Sequence, residues 1–194
     1  MARLQKIVIA SLSLAFIFAL ISTRIVATTG QTTVQEGPPR IDPPFADLRT
    51  SDLRDSFDEL HFGHRHEAID IMEPLGTPIR AVDDGRIRKL FLSKAGGTTI
   101  YQFNDSGSYC YYYAHLDHYV DDLREGQRVF RGQIIGYVGT TGDALPNAPQ
   151  LHFAIFRLDD DKLWWKGTPI NPYPILLDAV KRIPPTDGPG IGTN

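Results

Sequence analysis

A chain of 194 residues with 42% hydrophobic content can bury one core of ordinary size once its two unusual ends are set aside, so one folded unit is expected. The net charge is −3, and the first 28 positions hold three basic residues (Arg3, Lys6, Arg24) and no acidic one, leaving 17 basic against 23 acidic residues elsewhere, or −6. That balance argues against a nucleic-acid partner, and a single cysteine, Cys110, excludes both an intramolecular disulfide and a Cys-rich zinc site.

In chain order, Ile7 to Ile21 form an apolar run preceded by Arg3 and Lys6. Such a run is short for the roughly 20 residues of a membrane span but matches the apolar core of an export signal. Residues 1–27 are therefore expected to be a hydrophobic signal or anchor helix. Residues 7–23 would either stay in the inner membrane or be lost on cleavage, with the remainder extracytoplasmic, in the periplasm or cell envelope. Membrane contact is expected through this segment alone. Residues 28–46 are polar and carry Pro38, Pro39, Pro43 and Pro44, the composition of an extended linker. A folded domain is expected over 47–183 and a disordered tail over 184–194.

Within 47–183, short apolar or alternating runs separated by Gly, Asp, Asn and Pro predict a mainly β domain. Candidate strands are Thr77 to Val82, Gly85 to Leu92, Thr98 to Phe103, Tyr109 to Ala114, Gln133 to Val138 and Leu151 to Leu158. Turn-forming residues at Asp83-Asp84-Gly85, Lys94 to Gly97 and Asn104 to Gly107 predict antiparallel hairpins. Helix is expected only over Asp47 to Glu59 and Pro174 to Lys181. Two Gly-Gln pairs, at 126–127 and 132–133, mark tight turns and admit a lipoyl-like carrier sandwich. That alternative lacks a lysine on a hairpin tip.

Six histidines occur, at 61, 64, 66, 115, 118 and 152. His66 and Asp70 are spaced H-x-x-x-D on a loop-to-strand segment, and His152 alternates with apolar Leu151 and Phe153, so it points to the opposite face. Two imidazoles and a carboxylate make a three-ligand zinc set with the fourth position open, as catalytic zinc requires. Taken singly, each is more often a half-buried polar residue with an ordinary hydrogen-bond partner than a metal ligand. His64 lacks the register to Asp70, and His61 and His118 read as loop or surface residues. Cys110 reads as a small buried hydrophobe. Trp164 and Trp165 read as packing at the domain edge, with substrate-groove lining as the alternative. The H-E-x-x-H helix of other zinc proteases is absent.

The joint pattern is more specific. His66-Glu67-Ala68-Ile69-Asp70, Pro74 to Pro78, Tyr113-Ala114-His115-Leu116, Gly132 to Gly142 and Leu151-His152-Phe153 occur in an order and spacing that resemble the LytM/lysostaphin family of zinc endopeptidases. The resemblance implies a small antiparallel β sandwich (the duplicated hybrid motif fold) with the site in a groove on one sheet, and short helices at its edge. It implies one zinc ion held by His66, Asp70 and His152, a catalytic His115, and peptidoglycan peptides as substrate. A regulatory partner protein fits the same picture. Two positions depart from the family: Ala68 replaces a usual Gly, and Gln150 replaces a usual second catalytic His. Residues 150 and 152 share one strand face, so Gln150 is expected to reach the site. Its amide can donate a hydrogen bond but cannot titrate, which leaves a catalytically silent relative that binds or regulates as the alternative to an active enzyme.

Overall fold

The computed structural model describes residues 37–61 and 63–183. After a single 3-10 turn (Thr50–Asp52), β1 (Leu60–His61) and β2 (His64–Arg65) form a small hairpin. One branched antiparallel sheet holds β3 (Ile69–Met72), β4 (Pro78–Arg80), β5 (Gly85–Ser93), β6 (Gly97–Asn104), β7 (Tyr109–Tyr119), β8 (Arg128–Val129), β9 (Ile134–Val138), β10 (Gln150–Arg157) and β11 (Thr168–Ile170). Helix α1 (Pro172–Arg182) follows. The mainly antiparallel β architecture is as expected. The segment expected to be an N-terminal hydrophobic helix and the tail lie outside the described residues.

The branch point is β7. Its first half pairs with β6 and β10, and its second half, from Leu116, pairs with β9, which carries β4 on its other edge. Between the halves the β6 register slips, so that two residues of β7, Ala114 and His115, stand between the partners of Thr98 and Ile100. Such a bulge bends a strand and re-aims the extra side chain. On β10, Leu151, Phe153 and Ile155 enter the core while Gln150, His152 and Phe156 are only part-buried, the period-two alternation of a half-buried strand. One continuous core takes Ile69 and Ile71 from β3, Ile79 from β4, Ile100 from β6, Tyr111 and Tyr113 from β7, Ile135 from β9, and Leu176 and Val180 from α1.

Three expectations need correction. The linker expected over 28–46 does not reach 46, because Ile41 and Phe45 are buried in the core. The Asp42 amide donates to the Val82 carbonyl and the Arg80 amide to the Pro44 carbonyl, so this Pro-rich stretch runs beside β4 using the groups prolines leave free. The helix expected over Asp47 to Glu59 is only the 3-10 turn. The Asp52 carboxylate accepts from the Arg49 amide and that of Asp55 from the Phe57 amide, local bonds that compete with helix propagation. Asp83-Asp84-Gly85 does not close a hairpin, since β4 pairs with β9 and β5 with β6 and β8. At Gly85 a Cβ would overlap the Phe103 carbonyl, so glycine serves close strand approach there. The other two turns do close hairpins, β5–β6 and β6–β7. In the second, the Asn104 side-chain oxygen accepts from the Ser108 and Tyr109 amides. Strands β1, β2, β8 and β11, of two or three residues, were not foreseen.

Candidate metal centre

The sheet register brings the three predicted ligands together. Asp70 on β3 stands directly opposite His152 on β10. His66 arrives from the loop after the β1–β2 hairpin, where its amide donates to the Glu59 carbonyl at 2.8 Å and its ring Nδ1 lies 3.1 Å from the Ser56 carbonyl. Glu67 takes the left-handed conformation at φ 54°, and Ala68 does not, so the replacement of glycine at 68 meets no backbone obstacle. Ala68 is itself fully buried.

Three atoms able to ligate a metal converge. His66 Nε2 lies 3.0 Å from His152 Nδ1 and 3.2 Å from Asp70 Oδ1, and His152 Nδ1 lies 3.1 Å from Asp70 Oδ1. Atoms about 2.0–2.1 Å from one tetrahedral metal stand about 3.3 Å apart, so this triangle fits a three-ligand zinc set. Hydrogen bonding alone satisfies it poorly. The Ser56 carbonyl calls for a proton on His66 Nδ1, which in the neutral ring leaves Nε2 as an acceptor beside the acceptor Oδ1. Burial, the largest single influence, would raise Asp70. Hydrogen bonds and charge from His152 and His66 outweigh it and hold the carboxyl well below its usual range. Burial also pulls His66 down, but the hydrogen bond and charge of Asp70 leave it raised overall. A bound metal would compete with a proton for the same His66 lone pair.

His115 flanks the triangle, its ring centroid 5.6 Å from that of His152. It is buried, sits in the bulge at φ 62°, and has its Nδ1 2.8 Å from the Thr141 carbonyl. With the proton on Nδ1, its Nε2 is the free nitrogen. Burial, then the charge of His152, lowers His115, and the Thr141 carbonyl offsets this only in part. The loop at 139–143 is pinned for this task. Thr141 Oγ1 donates to the Leu116 carbonyl at 2.7 Å and accepts from the Thr98 amide at 2.9 Å, and the Asp143 amide donates to Ala95. Thr141 was missed as a site residue, although the Thr-Gly pair closing the Gly132 to Gly142 motif was the signal.

A cavity of about 620 Å³ runs along the site, lined by His66, Asp70, His115, Gln150 and His152 among others. Gln150 therefore reaches the site as its strand parity predicts. His64 lines the same cavity but lies outside the triangle, its Nδ1 3.0 Å from the Arg65 carbonyl. His118 is exposed on β7, stacked on Tyr137 and paired with Asp117. Cys110 is buried, and burial pushes its thiol up. Trp164 packs on Phe91 and Tyr101 beyond the cavity lining.

Known proteins resemble this chain in sequence and in fold. The chain is 34% identical over 118 residues to glycyl-glycine endopeptidase ALE-1 of Staphylococcus capitis, covering 60% of this chain and 30% of that protein. It is 31% identical over 122 residues to an L-Ala–D-Glu endopeptidase of Bacillus subtilis, covering 59% and 36%. The chain thus spans about a third of the length of these relatives. The catalytic domain of lysostaphin from Staphylococcus simulans superposes with a TM-score of 0.51 at 31% identity, covering 60% of this chain and 82% of that one. The profile of Peptidase family M23 matches residues 64–172, more than half of the chain. All three corners of the triangle and His115 fall inside that span, and the chain belongs to Peptidase family M23, the family of lysostaphin and its LytM-type relatives.

Proposed function

We propose that this chain is an extracytoplasmic zinc metalloendopeptidase that hydrolyses peptide bonds of peptidoglycan. The observation that carries the reading is the triangle of His66, Asp70 and His152 on the floor of an open groove, with His115 beside it. What a bound zinc supplies there is Lewis-acid activation of the scissile carbonyl and of the attacking water. The chain's own residues do the rest. His115 holds or moves a proton at Nε2 while Thr141 fixes its tautomer. Gln150, on the same strand face as His152, offers an amide donor to charge developing on the carbonyl oxygen. The relatives' names support peptidoglycan peptides as substrate, and residues 1–27, outside the described residues, support export or anchoring by their sequence. The β-sandwich description of the domain, its extent to 183 and a regulatory partner belong to the same proposal.

Gln150 favours a second reading, a metal-loaded but silent protein that binds wall material or regulates another hydrolase. Zinc content and peptidoglycan hydrolysis, measured on one preparation beside Gln150→His, separate the two. Zinc near one per chain with cleavage by the native protein is the expected result. Cleavage only by Gln150→His selects the silent reading, and absence of zinc from the native protein overturns both.

A further inference from the structure

His66 is the one corner of the triangle that no strand carries. Asp70 and His152 sit on paired strands, whereas His66 follows the β1–β2 hairpin and is placed by the turn at residues 55–59. That turn closes on itself, the Glu59 amide donating to the Ser56 carbonyl at 3.1 Å, and its other carbonyls hold the ligand segment. Ser56 meets the His66 ring at Nδ1, Glu59 accepts from the His66 amide, and Phe57 accepts from the Glu67 amide at 2.9 Å. A ligand held in this way is only as well placed as the turn beneath it.

Three side-chain ties hold the turn. Arg54 bonds both carboxylate oxygens of Glu59, and Arg65 bonds Asp58 at 2.7 Å, but these two stay within the turn and its hairpin. The third reaches the body of the domain. The Asp55 carboxylate accepts from the Phe57 amide at 3.3 Å and from the Asn171 side-chain amide, whose nitrogen lies 3.2 Å from each oxygen. Asn171 is also the N-cap of α1, its side-chain oxygen accepting from the Tyr173 amide at 2.9 Å. It directly follows β11, whose Ile170 stands opposite Ile155 of β10.

We propose that, given the metal-binding triangle on which the function above rests, Asn171 and Asp55 are positioning residues that fix His66 against His152. Strand β10 carries His152 itself and, through β11, Asn171 and Asp55, also sets the turn that holds His66. The Asp55–Asn171 bond is exposed, so water competes for it. Its loss loosens the turn and leaves the core folded.

The test exchanges the two side chains in the full chain. Asn171→Asp keeps an N-cap acceptor for Tyr173 but sets two carboxylates face to face. Adding Asp55→Asn restores one amide and one carboxylate at the native net charge. Zinc affinity, read by chelator competition, should fall about three- to tenfold in Asn171→Asp and return to within about twofold of native in the double variant. The added negative charge alone would strengthen cation binding, so a fall reports geometry. Hydrogen exchange of the His66 and Glu67 amides in the metal-free chain should quicken in Asn171→Asp and recover in the double variant. Unchanged affinity and exchange in Asn171→Asp overturn the proposal. A loss that the double variant does not restore also overturns it and leaves Asn171 a helix cap only. A native chain that takes no zinc but shows this exchange pattern keeps the tie to His66 and removes the metallopeptidase reading.

Discussion

His115 occupies a left-handed backbone well at φ 62°, buried and in a strand bulge. For a residue with a Cβ that conformation costs about 1 kcal/mol or more, and it persists here because the bulge and the Thr141 carbonyl over-determine it. Replacing the side chain separates strain from chemistry. His115→Gly should be more stable than His115→Ala by about 1 kcal/mol in denaturant titration, since both lose the imidazole but only glycine sheds the strain. Both variants should retain zinc, and both should lose hydrolysis by about 10²-fold or more, the share of a positioned acid or base. His66→Ala should do the reverse, keeping the fold by circular dichroism but losing metal, because one corner of the triangle is gone. Full zinc occupancy in that variant would refute the ligand assignment. The convergence of His66, Asp70 and His152 was legible at this scale from the H-x-x-x-D spacing, the parity of Leu151-His152-Phe153 and the order of the motifs along the chain. The strain at His115 was not, since nothing in Tyr-Ala-His-Leu announces a bulge that arises only when β6 and β9 compete for register along one strand.

Elements were legible where they were long. The strands around Gly85, Thr98, Tyr109 and Leu151 combine β-branched or aromatic residues with clear turn signals, and each appears close to its expected place. Strands β1, β2, β8 and β11 carry too little pattern to read, and the helix expected after Asp47 failed because carboxylates at 52 and 55 bind their own backbone neighbours. The connection that matters most to the site is the loop at 139–143. It approaches the β5–β6 turn so closely that a Cβ at Gly142 would overlap the Ala95 carbonyl. Thr141 locks this approach through one hydroxyl that both donates and accepts. Thr141→Val keeps the shape and strands the Leu116 carbonyl and the Thr98 amide, a loss of about 1–3 kcal/mol in denaturant titration. Because His115 is held by the same residue's carbonyl, kcat should fall while zinc content stays near one per chain. A variant with native kcat would show that the loop does not position the imidazole.

For the whole molecule, the consequential departure from the sequence reading is where the folded unit begins. Prolines at 38, 39, 43 and 44 resemble a linker by composition, yet the neighbouring Ile41 and Phe45 join the core shared by β4 and α1. Arg131 ties the segment down by bonding the Asp42 and Asp83 carboxylates and the Arg40 carbonyl, and Arg182 at the end of α1 bonds the Ile41 carbonyl. Composition alone could not reveal this, because burial of an isolated Ile or Phe depends on a surface assembled from distant strands. The two boundaries predict different proteins. A chain beginning at residue 37 keeps every one of these contacts, whereas one beginning at residue 47 loses the buried side chains of Pro39, Ile41, Pro44 and Phe45, of which Ile41 and Phe45 are each worth about 1.5–3 kcal/mol. It also leaves the Val82 carbonyl and the Arg80 amide without their partners. Against a domain stability of about 5–15 kcal/mol, that is a large fraction. Urea titration of the 37–194 and 47–194 chains should show a cooperative transition in the first and, in the second, a midpoint shifted strongly downward or no folded baseline. Equal midpoints would return residues 38–46 to the linker and confine the stabilising core to the sheet and α1.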